Sequence, residues 1–211
     1  MPAKQVELTI AFIYLILANP NVFTTFKQIT VMKNKLIILL FLILSGSVIM
    51  AQETAATAES IVSNAVKRAS AEKKKTLIIF HASWCGWCKK MDASLIDPCC
   101  KEFFDKNYVI DHLVVLESKG KESLENPGGM DYMKKWGGAE SGLPYWVILD
   151  DKGEVIADSR RKSEDGKLDN VGCPASENEV KHFMEVLKKT SKVTDAQLTT
   201  ISKRFRQNES Q

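Results

Sequence analysis

The apolar run Thr76-Leu77-Ile78-Ile79-Phe80 is followed, after His81-Ala82-Ser83, by Trp84-Cys85-Gly86-Trp87-Cys88-Lys89-Lys90-Met91. The run has the length and β-branched content of a buried strand. Met91 and Leu95 lie three and seven positions past Cys88, a helical spacing. The two cysteines therefore sit where a strand ends and a helix begins. A helix amino end carries free N–H groups and partial positive charge, and both stabilise a thiolate. Cys85, at the very start, gains most. Cys88 lies one turn later and is expected to be shielded. This asymmetry separates an exposed attacking thiol, Cys85, from a partner that resolves the mixed disulfide, Cys88.

Further along stands Gly142-Leu143-Pro144-Tyr145-Trp146-Val147-Ile148-Leu149-Asp150. Val147 to Asp150, the turn Asp151-Lys152-Gly153, and Glu154 to Ala157 read as a β-hairpin. With the cysteine motif, this segment resembles the thioredoxin superfamily. Within it, the chain is similar to exported thioredoxin-like proteins with a WCGWC motif, related to the carboxy-terminal domain of DsbD. The resemblance covers roughly Ala58 to Lys189. It implies a three-layer α/β/α sandwich with a central mixed sheet and extra helices at both ends. It also implies that Pro144 is cis, faces the cysteine pair, blocks metal capture and helps hold the substrate strand. Leu143 and Tyr145 beside it then belong to the substrate-binding set. One departure matters. The family's thioredoxins place a buried Asp six residues before the first cysteine, where it helps deprotonate the resolving one; here that position is Ile79. An aliphatic side chain cannot move protons, which leaves the redox direction open.

Each site residue has a plainer reading. Cys85 and Cys88 could instead be half of a zinc site, but structural zinc takes four ligands, commonly a second spaced pair. Cys99-Cys100 lacks that spacing and His81, His112 and His182 are scattered. Redox chemistry is favoured, with no metal and no bound cofactor. Trp84 and Trp87 offer a flat apolar surface for partner polypeptide, or else Trp84 closes the core. Pro144 is otherwise a strand-start proline. Lys89 and Lys90 read first as a solvated face. His81, four residues before Cys85, either tunes the pair or simply packs, and packing is the commoner outcome.

The 211 residues suffice for one ordinary domain with a full core. The formal charge of +3 comes entirely from the leader: residues 1–51 hold four of the 29 Lys and Arg and one of the 26 Asp and Glu. The remainder is neutral, which argues against nucleic acid recognised by bulk charge. Met32-Lys33-Asn34-Lys35, the apolar stretch Leu36 to Met50 and the small Ala51 make a signal peptide over residues 32–51, cut after Ala51. The apolar stretch is short for a membrane span, although an uncleaved anchor is the alternative. A signal peptide should open the chain, so we expect translation to start at Met32, with residues 1–31 a non-native extension. Residues 52–192 are then the thioredoxin-like domain, and 193–211 a C-terminal helix and tail.

Helices are expected over Glu53 to Glu72, from the CxxC to Ile96, from an Asp97 N-cap with Pro98 at the first position, and over Met130 to Trp136. Strands are expected at Thr76 to Ala82 and Tyr108 to Val115. Ser159 to Ala175 reads as a long polar connection. Ser176 with Glu179, and Thr194 with Gln197, are capping boxes that open two further helices. On a helix from Pro98, Cys100 points inward beside Phe103 and Phe104, while Cys99 leans outward. A Cys99–Cys100 bond would be strained, because adjacent Cα atoms are about 3.8 Å apart. A Cys100–Cys173 disulfide is the expectation. Three free thiols, with Cys100 a small core hydrophobe, are the alternative.

These readings converge on an exported, periplasmic thiol–disulfide oxidoreductase that reduces protein disulfides and draws electrons from a donor such as a membrane thiol protein. An oxidase or isomerase is the alternative, as is a non-catalytic module binding peptide through Trp87 and Tyr145.

Overall fold

A computed structural model describes Lys33, residues 55–163 and residues 165–210. The chain divides into two units, Met1–Glu53 and Thr54–Gln211, and the elements below all lie in the second. The expected signal peptide, the Met32 start and the first residues of the expected N-terminal helix fall outside the described residues.

Helix α1, Ala58–Glu72, opens on Thr57, whose hydroxyl accepts the Ser60 N–H, and closes at Lys73 in the left-handed region. Its small buried positions Ala58, Ala65 and Ala69 let it lie close on the sheet. Strand β1, Lys75–His81, follows. Helix α2, Gly86–Leu95, carries Cys88. Helix α3 spans Lys101–Asn107 and runs directly into β2, Tyr108–Val114. A 3-10 turn at Glu122–Leu124 precedes α4, Gly129–Lys135. Then come β3, Tyr145–Leu149, and β4, Val155–Asp158. A small pair, β5 at Arg160–Lys162 and β6 at Leu168–Asn170, leads to α5, Glu177–Thr190, and α6, Asp195–Arg206.

The main sheet has the order β2-β1-β3-β4. β1 pairs in parallel with β2 and antiparallel with β3, and β3 pairs antiparallel with β4 as the expected hairpin. Both faces of β1 and β3 are buried, which is why these strands read as continuous apolar runs. Alternation sorts their side chains into two cores. Leu77, Ile79, Trp146 and Ile148 pack with Met91 and Leu95 of α2, Phe103 and Phe104 of α3, and the apolar stripes of α5 and α6. Ile78, Phe80, Val147 and Leu149 pack with Val62 and Ala65 of α1 and Met133 of α4. The result is the three-layer thioredoxin-like sandwich.

Both capping boxes form, at Ser176–Glu179 and Thr194–Gln197. Phe205 of α6 is fully buried, with its ring centroid 4.9 Å from that of Phe183. The last helix is therefore part of the core.

Three expectations are corrected. The helix after Asp97 starts later, at Lys101, with Cys100 at its N-cap and no side-chain capping bond. The Asp97 carboxylate is divided: one oxygen accepts the Cys99 N–H at 3.0 Å, holding a turn, and the other accepts Arg204 Nε at 2.7 Å. The polar connection is not all loop, since β5 and β6 form a two-stranded sheet within it. The Cys100–Cys173 bond is absent; Cys99, Cys100 and Cys173 are free thiols. Cys100 does point inward and Cys99 outward, but each buried sulfur has another neighbour. Cys100 Sγ lies 3.4 Å from Cys99 Sγ, and Cys173 Sγ accepts from Asn208 Nδ2 at 3.4 Å. Burial pushes both the Cys100 and Cys173 thiols up to about 12, so they stay protonated.

Candidate active site

β1 is an interior strand, so the chain leaves it at the middle of a sheet edge. Cys85 is the N-cap of α2, in extended conformation, and its sulfur accepts the Cys88 N–H at 3.1 Å. The first turn of α2 thus aims a backbone donor at this sulfur. Cys85 and Cys88 form a disulfide with Cα atoms 5.3 Å apart. Cys85 is not the exposed member that the sequence suggests: both residues are 2% exposed. They pack with Ala82, and Leu143 lies against them. The Leu143–Pro144 peptide bond is cis.

The two tryptophans stay outside. Trp84 is 56% and Trp87 46% exposed, so Trp84 does not close the core. Trp84 Nε1 donates to the Leu116 carbonyl at 2.8 Å. Glu117, next along, accepts from both the Ser83 N–H, at 2.6 Å, and the Ser83 hydroxyl, at 2.7 Å. These bonds strap the loop after β2 to the residues just before the cysteines. Lys89 is exposed. Lys90 Nζ sits 4.2 Å from the centroid of the Trp87 ring and donates to the Asn208 carbonyl at 3.2 Å.

Tyr145 is a correction. It is fully buried, and its hydroxyl donates to the Trp136 carbonyl at 2.7 Å. The strand alternation turns it into the α1/α4 core, away from any substrate. Trp146 turns to the other core and donates from Nε1 to the Gly172 carbonyl at 2.8 Å. Leu143 is half-buried and Pro144 buried, and both lie beside Trp87. They line a groove of about 360 Å³ together with Gly142, Glu179 and the segment Asn170–Cys173.

The sequence reading missed Asn170. Its Nδ2 donates to the Gly142 carbonyl at 2.7 Å and the Pro144 carbonyl at 3.1 Å. Its Oδ1 accepts from the Ser159 hydroxyl at 2.6 Å and the Gly172 N–H at 3.1 Å. One amide thus ties β6 to the loop that faces the cysteines. Gly172 completes the fit: it has φ +60°, and a Cβ there would lie 3.2 Å from the Pro144 carbonyl oxygen. Nothing local marks Asn170, because its loop partners lie 26 and 28 residues away.

His81, at the end of β1, and His112 of β2 have ring centroids 4.9 Å apart. His112 Nε2 is 2.9 Å from Asp92 Oδ1 of α2. Burial, then the neighbouring His112, lowers the His81 pKa below its ordinary value, so His81 is neutral at pH 7. Ile79 is fully buried in the core. Among the described residues no group of three or more His, Cys, Asp or Glu is arranged to hold a metal ion.

A CxxC disulfide at the start of a helix that leaves an interior strand of such a sheet defines a class, the thioredoxin-fold proteins with a dithiol–disulfide centre. Residues 57–150 match the family described as thioredoxin-like. The fold and the Cys85–Cys88 pair agree with that match. Among solved structures, it is similar to a disulphide isomerase from Xylella fastidiosa Temecula1, at 20% identity over 51% of this chain and 77% of that one, TM-score 0.41. The oxidised DsbD C-terminal domain of Neisseria meningitidis matches at 16% identity over 65% and 98%, TM-score 0.40. A thioredoxin from Thermus thermophilus matches at 17% identity over 60% and 81%, TM-score 0.38. No curated protein matches the chain.

Proposed function

We propose that this chain is an exported protein thiol–disulfide oxidoreductase that reduces protein disulfides with Cys85 and Cys88. The observation that carries the reading is the Cys88 N–H aimed at Cys85 Sγ from the first turn of α2. A sulfur so placed is stabilised as thiolate and is a good attacking and leaving group. In the reduced enzyme, Cys85 thiolate attacks a substrate disulfide. A mixed disulfide forms and one substrate thiolate leaves. Cys88, as thiolate, then attacks Cys85 Sγ and expels the second substrate thiolate. Two electrons pass to the substrate, which takes up two protons, and the enzyme is left as the disulfide. A dithiol donor must re-reduce it, and a membrane thiol protein suits an exported enzyme.

The direction is supported by what surrounds Cys85. Strong oxidants of this chemistry have an over-stabilised reduced form. Here the thiolate gains a helix end and a backbone N–H, and burial lowers the His81 pKa, which disfavours an imidazolium at the end of β1. The substrate surface consists of Trp84, Trp87, Leu143 and Pro144, which are apolar and border the groove or the cysteines. Export is supported by the leader read over residues 32–51. Among the described residues no helix is long and apolar enough to cross a membrane.

Cys88→Ser tests the exchange. The variant lacks the resolving thiol and accumulates mixed disulfides between Cys85 and partner proteins, seen on non-reducing gels. Absence of such adducts in an oxidising compartment overturns the mechanism. A reduction potential near about −270 mV supports the reducing direction, and one near about −120 mV makes the protein an oxidant. Failure to accelerate insulin reduction by dithiothreitol leaves a peptide-binding role.

A further inference from the structure

We propose that the cluster His81–His112–Asp92 is the proton acceptor for Cys88, and this rests on the exchange reading above. Cys88 is 2% exposed and packs with Ala82 and Leu143. Burial disfavours its thiolate, yet Cys88 must become one to attack Cys85. Some group nearby has to take the proton. Ile79, on the adjoining strand, has no titratable atom.

The cluster is placed to do so. Asp92 lies four residues after Cys88 on α2, on the same helix face and one turn further along. Its carboxylate meets His112 Nε2 at 2.9 Å. His112 stands opposite Ile79 in the β1–β2 register, and His81 opposite Val114. Both imidazoles therefore project from the sheet face that carries α2, and their rings are 4.9 Å apart. The charged and titratable groups that face His81 are His112 from β2, Asp92 from α2 and Glu117 from the loop after β2. The Glu117 carboxylate is committed to the Ser83 N–H and hydroxyl. An imidazole pair, anchored by one carboxylate of the helix that carries Cys88, is the base this sheet face offers. His81 is neutral at pH 7 and can accept a proton; Asp92 balances the imidazolium that results.

The step balances. The Cys88 S–H bond breaks and its proton passes to the imidazole pair. The Cys88–Cys85 S–S bond forms as the Cys85–substrate S–S bond breaks. The departing substrate thiolate is then protonated from the imidazolium, which restores the cluster. Enzyme dithiol is oxidised and substrate disulfide reduced.

The test separates the two thiol steps. Reduced full-length enzyme is mixed with oxidised glutathione. Glutathionylation of Cys85 and the later release of glutathione by Cys88 are followed by quench and mass spectrometry from pH 5 to 9. In the wild type, release keeps its rate down to the histidine range. In His81→Gln and in Asp92→Asn, the release inflection moves above pH 8, and release at pH 6.5 slows by about tenfold or more. An unchanged release profile in both variants overturns the proposal. Two positions, one on β1 and one on α2, guard against a folding defect at either. If Cys85 is never glutathionylated in the wild type, the exchange reading itself fails. If it is glutathionylated and the variants resolve as the wild type does, only the proton route fails.

Discussion

Replacing Asn170 with alanine deletes four hydrogen bonds, two of which hold the Gly142–Pro144 loop against β6. Two are donated to loop carbonyls, at 2.7 and 3.1 Å, and two are accepted, from Ser159 and Gly172, at 2.6 and 3.1 Å. Each is worth about 1 kcal/mol net, and a buried group left unpaired costs about 1–3 kcal/mol. The Gly142 carbonyl is exposed and water replaces the amide there. Ser159 is fully buried, and its hydroxyl loses the acceptor it donates to. The sum is a destabilisation of about 2–3 kcal/mol. With a urea dependence of about 2 kcal/mol per molar, the unfolding midpoint falls by about 1 M. Tryptophan fluorescence follows the transition. Because the loop abuts the cysteines through Leu143, kcat/KM for insulin reduction falls about ten- to a hundredfold as the loop loses its position. Asn170→Asp keeps both acceptor bonds but turns a carboxylate toward two carbonyls, so it should do at least as much damage. A midpoint shift under about 0.2 M in both variants refutes the reasoning, since the amide would then not be what secures the loop.

Phe205→Ala empties a fully buried site in the α5/α6 core and should cost about 3–5 kcal/mol in chemical denaturation; a loss under about 1 kcal/mol would mean that α6 is only an appendage. Stability should also fall on acidification. Burial is the first cause that lowers the His182 pKa, and His182 Nε2 is buried with no hydrogen-bond partner among the described residues. The unfolded chain therefore takes up this proton near 6.5 while the folded one resists it. The contribution is full above that pH and is lost as pH drops through the lower folded value. His81 shifts the same way. Scanning calorimetry should show a lower Tm at pH 5 than at pH 7, with part of the slope removed in His182→Gln. A flat or rising Tm on acidification contradicts the assignment.

What could be read from the chain alone was whatever depends on near neighbours. The strand-to-helix placement of Cys85 and Cys88, the hairpin after Pro144 and the capping boxes at Ser176 and Thr194 each involve partners a few residues apart. Backbone sterics and periodicity act over that range and leave their mark in order and spacing. The doubly buried character of β1 and β3 was legible too, because a strand covered on both faces must be apolar throughout. Tertiary structure alone decided the rest. Tyr145 stands next to Pro144 in sequence yet is turned into the far core by strand alternation. Asp97 holds a turn, and its second oxygen takes Arg204, 107 residues away, a partner no local signal reveals. β5 and β6 went unseen because their exposed polar faces carry no alternation. Cys100 and Cys173 remain thiols because each sulfur has a different neighbour. Asn170 on the loop, and Asp92 against His112, are contacts across 20 to 28 residues. Packing creates such contacts, and nothing in the local order of residues records them.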